Sequence, residues 1–196
     1  MFRAIESSGG IRKLFAPQSL ISSYEPIVGE VSVVRRRVAF ARFHQESTVS
    51  IQQITAEEAH TLITQDTSVI YLDVRTVPEF EAGHPLAALN IPVVLPNPAI
   101  RRMTPNPDFL PTAEAAIPKD AKIIVGCMSG GRSQYAAEVL ADAGYQNVAN
   151  MQGGFGGARD QMGRLLVPGW QDCGLPEEGG DGGARSYEAL SRKSTG

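Results

Sequence analysis

The stretch Lys122-Ile123-Ile124-Val125-Gly126-Cys127-Met128-Ser129-Gly130-Gly131-Arg132-Ser133 constrains this chain more than any other. A short apolar run ends in a glycine, a cysteine opens a glycine-containing turn, and a helical pattern follows over residues 134–143. An apolar run bounded by turn signals reads as a short strand. A glycine turn between such a strand and a helix brings backbone N–H groups and the positive helix end to one point. Arg132 adds a guanidinium there. All three favour an anion, so a Cys127 thiolate is stabilised, and Cys127 is the candidate nucleophile.

The surrounding pattern alternates strands with helices. Residues 51–54 read as a short edge strand, and Thr55-Ala56-Glu57-Glu58 is a helix N-cap with acids in the first turn. The helix is expected to reach about Thr64 and to bury Ala59, Leu62 and Ile63. Val69-Ile70-Tyr71-Leu72-Asp73-Val74 reads as a strand buried on both faces, the kind found in a parallel sheet. It carries Asp73 and Arg75 to its carboxyl end, where ligands collect in open α/β sheets. Residues 78–82 form a helical turn ended by Gly83-His84-Pro85, and residues 89–93 form another short strand. Prolines and asparagines between residues 96 and 118 indicate an irregular loop carrying Arg101 and Arg102, with at most a short helix at residues 109–116. Residues 147–151 are the next strand. Gln152-Gly153-Gly154-Phe155-Gly156-Gly157 lacks phosphate-loop spacing, so its glycines are expected to start a helix and permit close packing. Residues 158–166 read as a last helix, Trp170 as packed on the body, residues 175–183 as loose tail and residues 185–193 as a short amphipathic helix. Together these elements specify an α/β domain with a mostly parallel sheet, with Asp73 and Cys127 on one rim.

Composition narrows the function classes. The 196 residues suffice for one domain with a core and are too few for two of ordinary size. A formal net charge of -3 provides no basic field for nucleic acid or an anionic membrane surface. The two cysteines, Cys127 and Cys173, form neither a disulfide framework nor a Cys-x-x-Cys metal or redox site. A reducing, cytoplasmic setting is the expectation.

Residues 1–48 differ in charge, with seven basic residues against four acidic ones, a net of +3. The remainder carries 11 basic and 17 acidic residues. The reading is an extension at residues 1–48, disordered or weakly ordered with a candidate strand at residues 31–43, a domain at residues 49–170 and a tail at residues 171–196. Phe2-Arg3-Ala4-Ile5 and Ile11-Arg12-Lys13-Leu14-Phe15 are the alternative signal, for organelle targeting, interrupted by Glu6 and Gly9-Gly10. Because ordered patterning starts at Val49-Ser50, translation from position 49 or dispensability of the extension is a further expectation.

The motifs Leu72-Asp73-Val74-Arg75, Glu79-Phe80, Gly83-His84, Ala88-Leu89-Asn90-Ile91-Pro92 and Cys127 to Ser133, with Gly153-Gly154 downstream, resemble the rhodanese domain in its single-domain sulfurtransferase form. The resemblance spans residues 50–166. It departs where Pro85-Leu86-Ala87 stands for the usual Ile-Pro-Gly, and where Met128 stands in place of an Arg common in thiosulfate-using members. It implies ping-pong transfer of sulfane sulfur through a Cys127 persulfide, from a small anionic donor such as thiosulfate or a low-molecular-weight persulfide. The acceptor would be cyanide, a cellular thiol or a sulfur-accepting protein. It implies no metal or organic cofactor. In this reading Arg132 orients the donor, backbone N–H groups of Met128, Ser129, Gly130, Gly131 and Ser133 hold the sulfur, and Asp73 and Arg75 orient the loop. His84 would be a turn anchor, and Cys173 would have no role. One alternative is a non-catalytic sulfur carrier or binding module. The other is phosphatase or arsenate reductase chemistry, disfavoured by four residues between Cys127 and Arg132 where related phosphatases have five.

Overall fold

The computed structural model describes residues 50–194, and the expectations for residues 1–48 lie outside them. In chain order the elements are β1 (Gln52–Ile54), α1 (Ala56–Gln65), β2 (Val69–Asp73), α2 (Val77–Ala82), β3 (His84–Pro85), β4 (Leu89–Asn90), β5 (Val94–Asn97) and β6 (Arg102–Pro105). There follow α3 (Phe109–Ala116), β7 (Lys122–Gly126), α4 (Gly131–Asp142), β8 (Asn147–Met151), β9 (Ala158–Arg159), β10 (Leu165–Val167), β11 (Glu177–Glu178), a 3-10 turn (Gly183–Arg185) and α5 (Tyr187–Ser194).

Five strands form one parallel sheet in the order β1-β8-β7-β2-β4. The apolar run expected to be buried on both faces is β2, which lies beside β7 inside the sheet. Side-chain alternation divides both strands between two cores. Ile123, Val125 and Leu72 pack with Phe109, Ala113, Ala136, Ala137, Leu140 and Leu190 on the face covered by α3, α4 and α5. Ile124 and Tyr71 pack with Ala56, Ala59, Phe80 and Trp170 on the face covered by α1 and α2. The fold is thus α/β, a parallel central sheet flanked by helices, and all central strands deliver their carboxyl ends to one rim.

Several local expectations are corrected. Residues 158–166 form the β9–β10 hairpin instead of a helix. Gly157 and Gly163 turn there with φ of 84° and 78°. The Asp160 carboxylate accepts from the amides of Met162 and Arg164, a local turn that competes with a helical ladder. The proline-rich stretch is ordered as the β5–β6 hairpin, with the short helix α3 after it. The strand expected at residues 89–93 is confined to β4. Leu62, expected to be buried, is 42% exposed and lines an open cleft at the amino ends of the strands, while Ala59 is fully buried.

Residues 175–183 are not loose. β11 pairs antiparallel with β3, and the Trp170 indole donates to the Pro176 carbonyl at 2.9 Å. Beyond them, α5 packs on α3 and inserts Leu190 into the first core. Leu190 is 3% exposed. Leu190→Ala is therefore expected to destabilise the domain by about 2–5 kcal/mol in urea unfolding. A change within error would show that α5 is peripheral.

Candidate active site

The turn after β7 is built as its glycines require. Gly130 caps α4 at φ 98° and ψ -18°, a left-handed conformation that disfavours other residues. This bends the chain so that the Gly130 amide points back at the Cys127 sulfur, with N to Sγ at 3.2 Å. The Ser133 hydroxyl lies 3.3 Å from Sγ and 3.0 Å from the Gly130 carbonyl. A hydroxyl both donates and accepts, so Ser133 can accept a hydrogen bond from the thiol or donate one to the thiolate. Cys127 is 1% exposed and sits at the start of α4, whose first N–H groups have no intrahelical partners.

The loop is clamped from the other side by the glycine run after β8. Phe155 N donates to the Cys127 carbonyl at 2.7 Å, and Gly156 N donates to the Met128 carbonyl at 2.9 Å. Gly154, at φ 62°, lies so close that a Cβ there would meet the Cys127 oxygen at 2.4 Å. Close packing was the expected use of these glycines. The helix start expected with it is absent, because the segment turns into the clamp and then into β9. Gly126 has a related reason, since a Cβ there would stand 1.9 Å from the Tyr71 hydroxyl. Burial, and after it the Asp73 charge, pushes that phenol well above its ordinary range.

Asp73 and Arg75 form a buried two-point pair, with Arg75 Nη2 at 2.6 Å from Asp73 Oδ2 and Nε at 3.0 Å from Oδ1. Arg75 also donates to the Gly83 carbonyl at 2.7 Å, and its guanidinium lies 4.1 Å above the Phe155 ring centre. These two residues act on the cysteine loop through Phe155. The Asn90 amide donates to the carbonyls of Asp73 and Arg75. His84 is buried, stacked on Phe80, with Nδ1 2.7 Å from the Phe80 carbonyl, the geometry of an anchor.

Arg132 stands at the rim, and the residue that holds it is one that sequence reasoning missed. Its Nη1 and Nη2 donate to both oxygens of Glu79, at 2.8 and 2.6 Å. Glu79 was visible only as a motif letter beside Phe80. Its capping-box spacing from Thr76 was the available signal, since that box places its carboxylate at the start of α2. Met128 is 36% exposed beside these groups. Next to it opens a cleft of about 400 Å³ lined by Arg75, Pro78, Glu79, Ala82, Gly83, Met128, Phe155 and Gln171. A larger cleft, about 510 Å³, lies at the opposite end of the strands near Lys122 and Asn147, away from every candidate residue. Ser129 and Gly131 complete the turn, with Gly131 facing open space.

Arg101 and Arg102 are exposed at the β5–β6 hairpin and do not line the cleft beside Met128. Cys173 packs against the second core, across the sheet from Cys127, and burial followed by Glu57 raises its thiol. Among the described residues no cluster of three or more His, Cys, Asp and Glu is placed to hold a metal ion. No helix among them is long and apolar enough to cross a membrane.

Burial alone would raise the Glu79 carboxyl, but hydrogen bonds from Arg132 and then Thr76 outweigh it and lower it from 4.5 to about 2. The same bonds raise Arg132. A depressed carboxyl stabilises the fold fully above its unfolded value of 4.5, and the contribution fades as pH falls towards 2. The stability advantage of the wild type over Glu79→Gln should thus be largest above pH 4.5 and shrink below it. A pH-independent difference in chemical unfolding would remove the ion pair from the account.

Comparison with known proteins agrees with this geometry. Residues 55–160 match the rhodanese-like domain. Thiosulfate sulfurtransferase 16, chloroplastic, from Arabidopsis thaliana is 44% identical over 85 residues, which are 43% of this chain and 69% of that protein. Protein HIGH ARSENIC CONTENT 1, mitochondrial, from the same organism is 45% identical over 85 residues, 43% of this chain and 49% of that protein. This chain therefore spans between half and about two thirds of these curated relatives. The crystal structure of Rv0390 from M. tuberculosis superposes with a TM-score of 0.56 at 29% identity, covering 67% of this chain and all of that one. With its parallel sheet, its cysteine turn at the start of α4 and this match over more than half of its length, the chain belongs to the rhodanese-like domain family.

Proposed function

We propose that the protein is a sulfurtransferase in which Cys127 carries sulfane sulfur from a small donor, thiosulfate or a low-molecular-weight persulfide, to a thiol, to cyanide or to a sulfur-accepting protein. The observation that carries this reading is the Cys127 sulfur held between the Gly130 amide and the Ser133 hydroxyl at a helix start. A thiolate there attacks the outer sulfur of thiosulfate. The S–S bond breaks, its electron pair leaves with sulfite, and one proton from water completes a Cys127–S–S–H persulfide. Cyanide then takes the outer sulfur as thiocyanate, and the proton returns to the Cys127 sulfur. No oxidant is needed in either half. The loop assists by directing N–H dipoles at anionic sulfur, with Arg132 as the cation at the rim. Asp73 and Arg75 contribute position alone.

A second reading is supported by the relative named for arsenic content. The same cysteine loop would take arsenate as the oxyanion, although the four-residue spacing between Cys127 and Arg132 makes a smaller pocket and counts against it.

Intact mass after thiosulfate or glutathione persulfide, followed by cyanide, separates these readings. The expected result is gain of one sulfur atom, its loss on cyanide with thiocyanate released, abolition in Cys127→Ser and retention in Cys173→Ser. Sulfur uptake without release to cyanide or any thiol would instead define a carrier. A persulfide found on Cys173 would overturn the assignment. Cys127-dependent formation of arsenite from arsenate and a thiol, with no sulfur uptake, would favour the second reading.

A further inference from the structure

Thiosulfate is a dianion, and a site that selects it over less charged donors gains most from a cation that no carboxylate already neutralises. Arg132 is not such a cation. Both its terminal nitrogens are engaged by Glu79. Glu79 is fixed in turn by the Thr76 hydroxyl at 2.6 Å and amide at 3.1 Å. The two side chains are only 28% and 29% exposed, so this two-point pair is more than a loose surface contact. The cation that lines the cleft beside Met128, Arg75, is buried and held by Asp73 and the Gly83 carbonyl. The remaining wall is Pro78, Ala82, Met128 and Phe155, apolar, with the Gln171 amide at one side. The cleft beside Met128, the residue after Cys127, thus offers an apolar surface and no unpaired cation.

Resting on the sulfurtransferase reading, we infer that Glu79 determines donor specificity. It occupies Arg132, disfavours a dianionic donor and leaves the cleft to an organic sulfur donor whose apolar substituent lies against Met128, Ala82 and Phe155. For an organic persulfide R–S–S–H, the Cys127 thiolate attacks the outer sulfur and the S–S bond breaks. Its electron pair leaves as R–S⁻, and Cys127–S–S–H forms. For a thiosulfonate the leaving group is the sulfinate, with one proton taken from water. Neither step requires an external oxidant or reductant.

The test compares thiosulfate with benzenethiosulfonate, which keeps the sulfur–sulfonyl bond but has one charge fewer and an apolar ring. Cyanide is the acceptor, and thiocyanate is read as initial rate. The wild type is expected to favour benzenethiosulfonate in kcat/KM by at least about tenfold, the range that one apolar contact surface can supply. Glu79→Gln removes the carboxylate charge and should move that ratio towards thiosulfate by roughly tenfold, an effect that high salt should erase. Ala82→Trp, at an exposed position lining the cleft, should move the ratio the other way by raising KM for benzenethiosulfonate. Parallel losses on both donors in Glu79→Gln, with the ratio and its salt dependence unmoved, would reduce Glu79 to a structural brace and overturn the inference. An unmoved ratio in a folded Ala82→Trp would overturn the placement of the substituent. Wild-type turnover of neither donor would overturn the sulfurtransferase reading itself, and with it this one.

Discussion

Two hydrogen bonds hold the site: Phe155 N to the Cys127 carbonyl and Gly156 N to the Met128 carbonyl. A turn that exposes its N–H groups to an incoming anion cannot use those groups to brace itself. Its rigidity must come from its carbonyls, and these two bonds supply it. Their donors are in turn fixed, with Trp170 N bonded to the Gly154 carbonyl and Gln171 N to the Phe155 carbonyl. The Phe155 ring lies under Arg75, which ties the clamp to the buried Asp73 pair at the end of β2. Three strand ends, those of β2, β7 and β8, are joined through this one contact region. Breaking a buried ion pair by removing one partner typically costs about 3–5 kcal/mol, so the rim is firmly held.

The charges at this rim are satisfied in pairs. Asp73 is matched by Arg75, and Glu79 by Arg132. The positive field at the sulfur therefore comes mainly from oriented backbone and a helix start, with ionised side chains balanced around it. Such dipoles need no reorganisation when charge arrives. A free arginine would attract anions from solution indiscriminately, whereas a paired one mainly holds shape. The surface left beside Met128 is apolar, with Pro78, Ala82 and Phe155 as its other walls.

What was legible in the sequence was local. The strand β7, the glycine turn, Cys127 and the start of α4 are contiguous, so spacing alone fixes their relation. β2 was legible for the same reason, since its apolar run permits nothing but a buried strand. Glu79 was not, because its partner Arg132 lies 53 residues away and only the fold brings them together. The helix expected at residues 158–166 was misread because propensity favours Ala, Leu, Gln and Arg there, while a single side chain, Asp160, supplies a competing turn. The β5–β6 hairpin was hidden by prolines, which are tolerated in a two-stranded ribbon with open edges.

The segment after residue 160 shows how far the domain extends past its family match. Residues 55–160 match the rhodanese-like domain, yet the clamp leans on Gly169, Trp170 and Gln171 beyond that match. A Cβ at Gly169 would stand 2.2 Å from Gly157 N, so the two backbones are in direct contact. Trp170 is 2% exposed and packs edge-on against Tyr71 at 5.8 Å, beneath Gly126. β11 covers β3 beside His84, and Leu190 fills the core that contains Cys127. Each of these contacts joins the end of the chain to an element at the rim that carries Cys127 or directly beneath it. The cysteine loop and its clamp are thus composed from the matched segment, while residues outside it brace the clamp, which makes the C-terminal stretch part of the site's foundation.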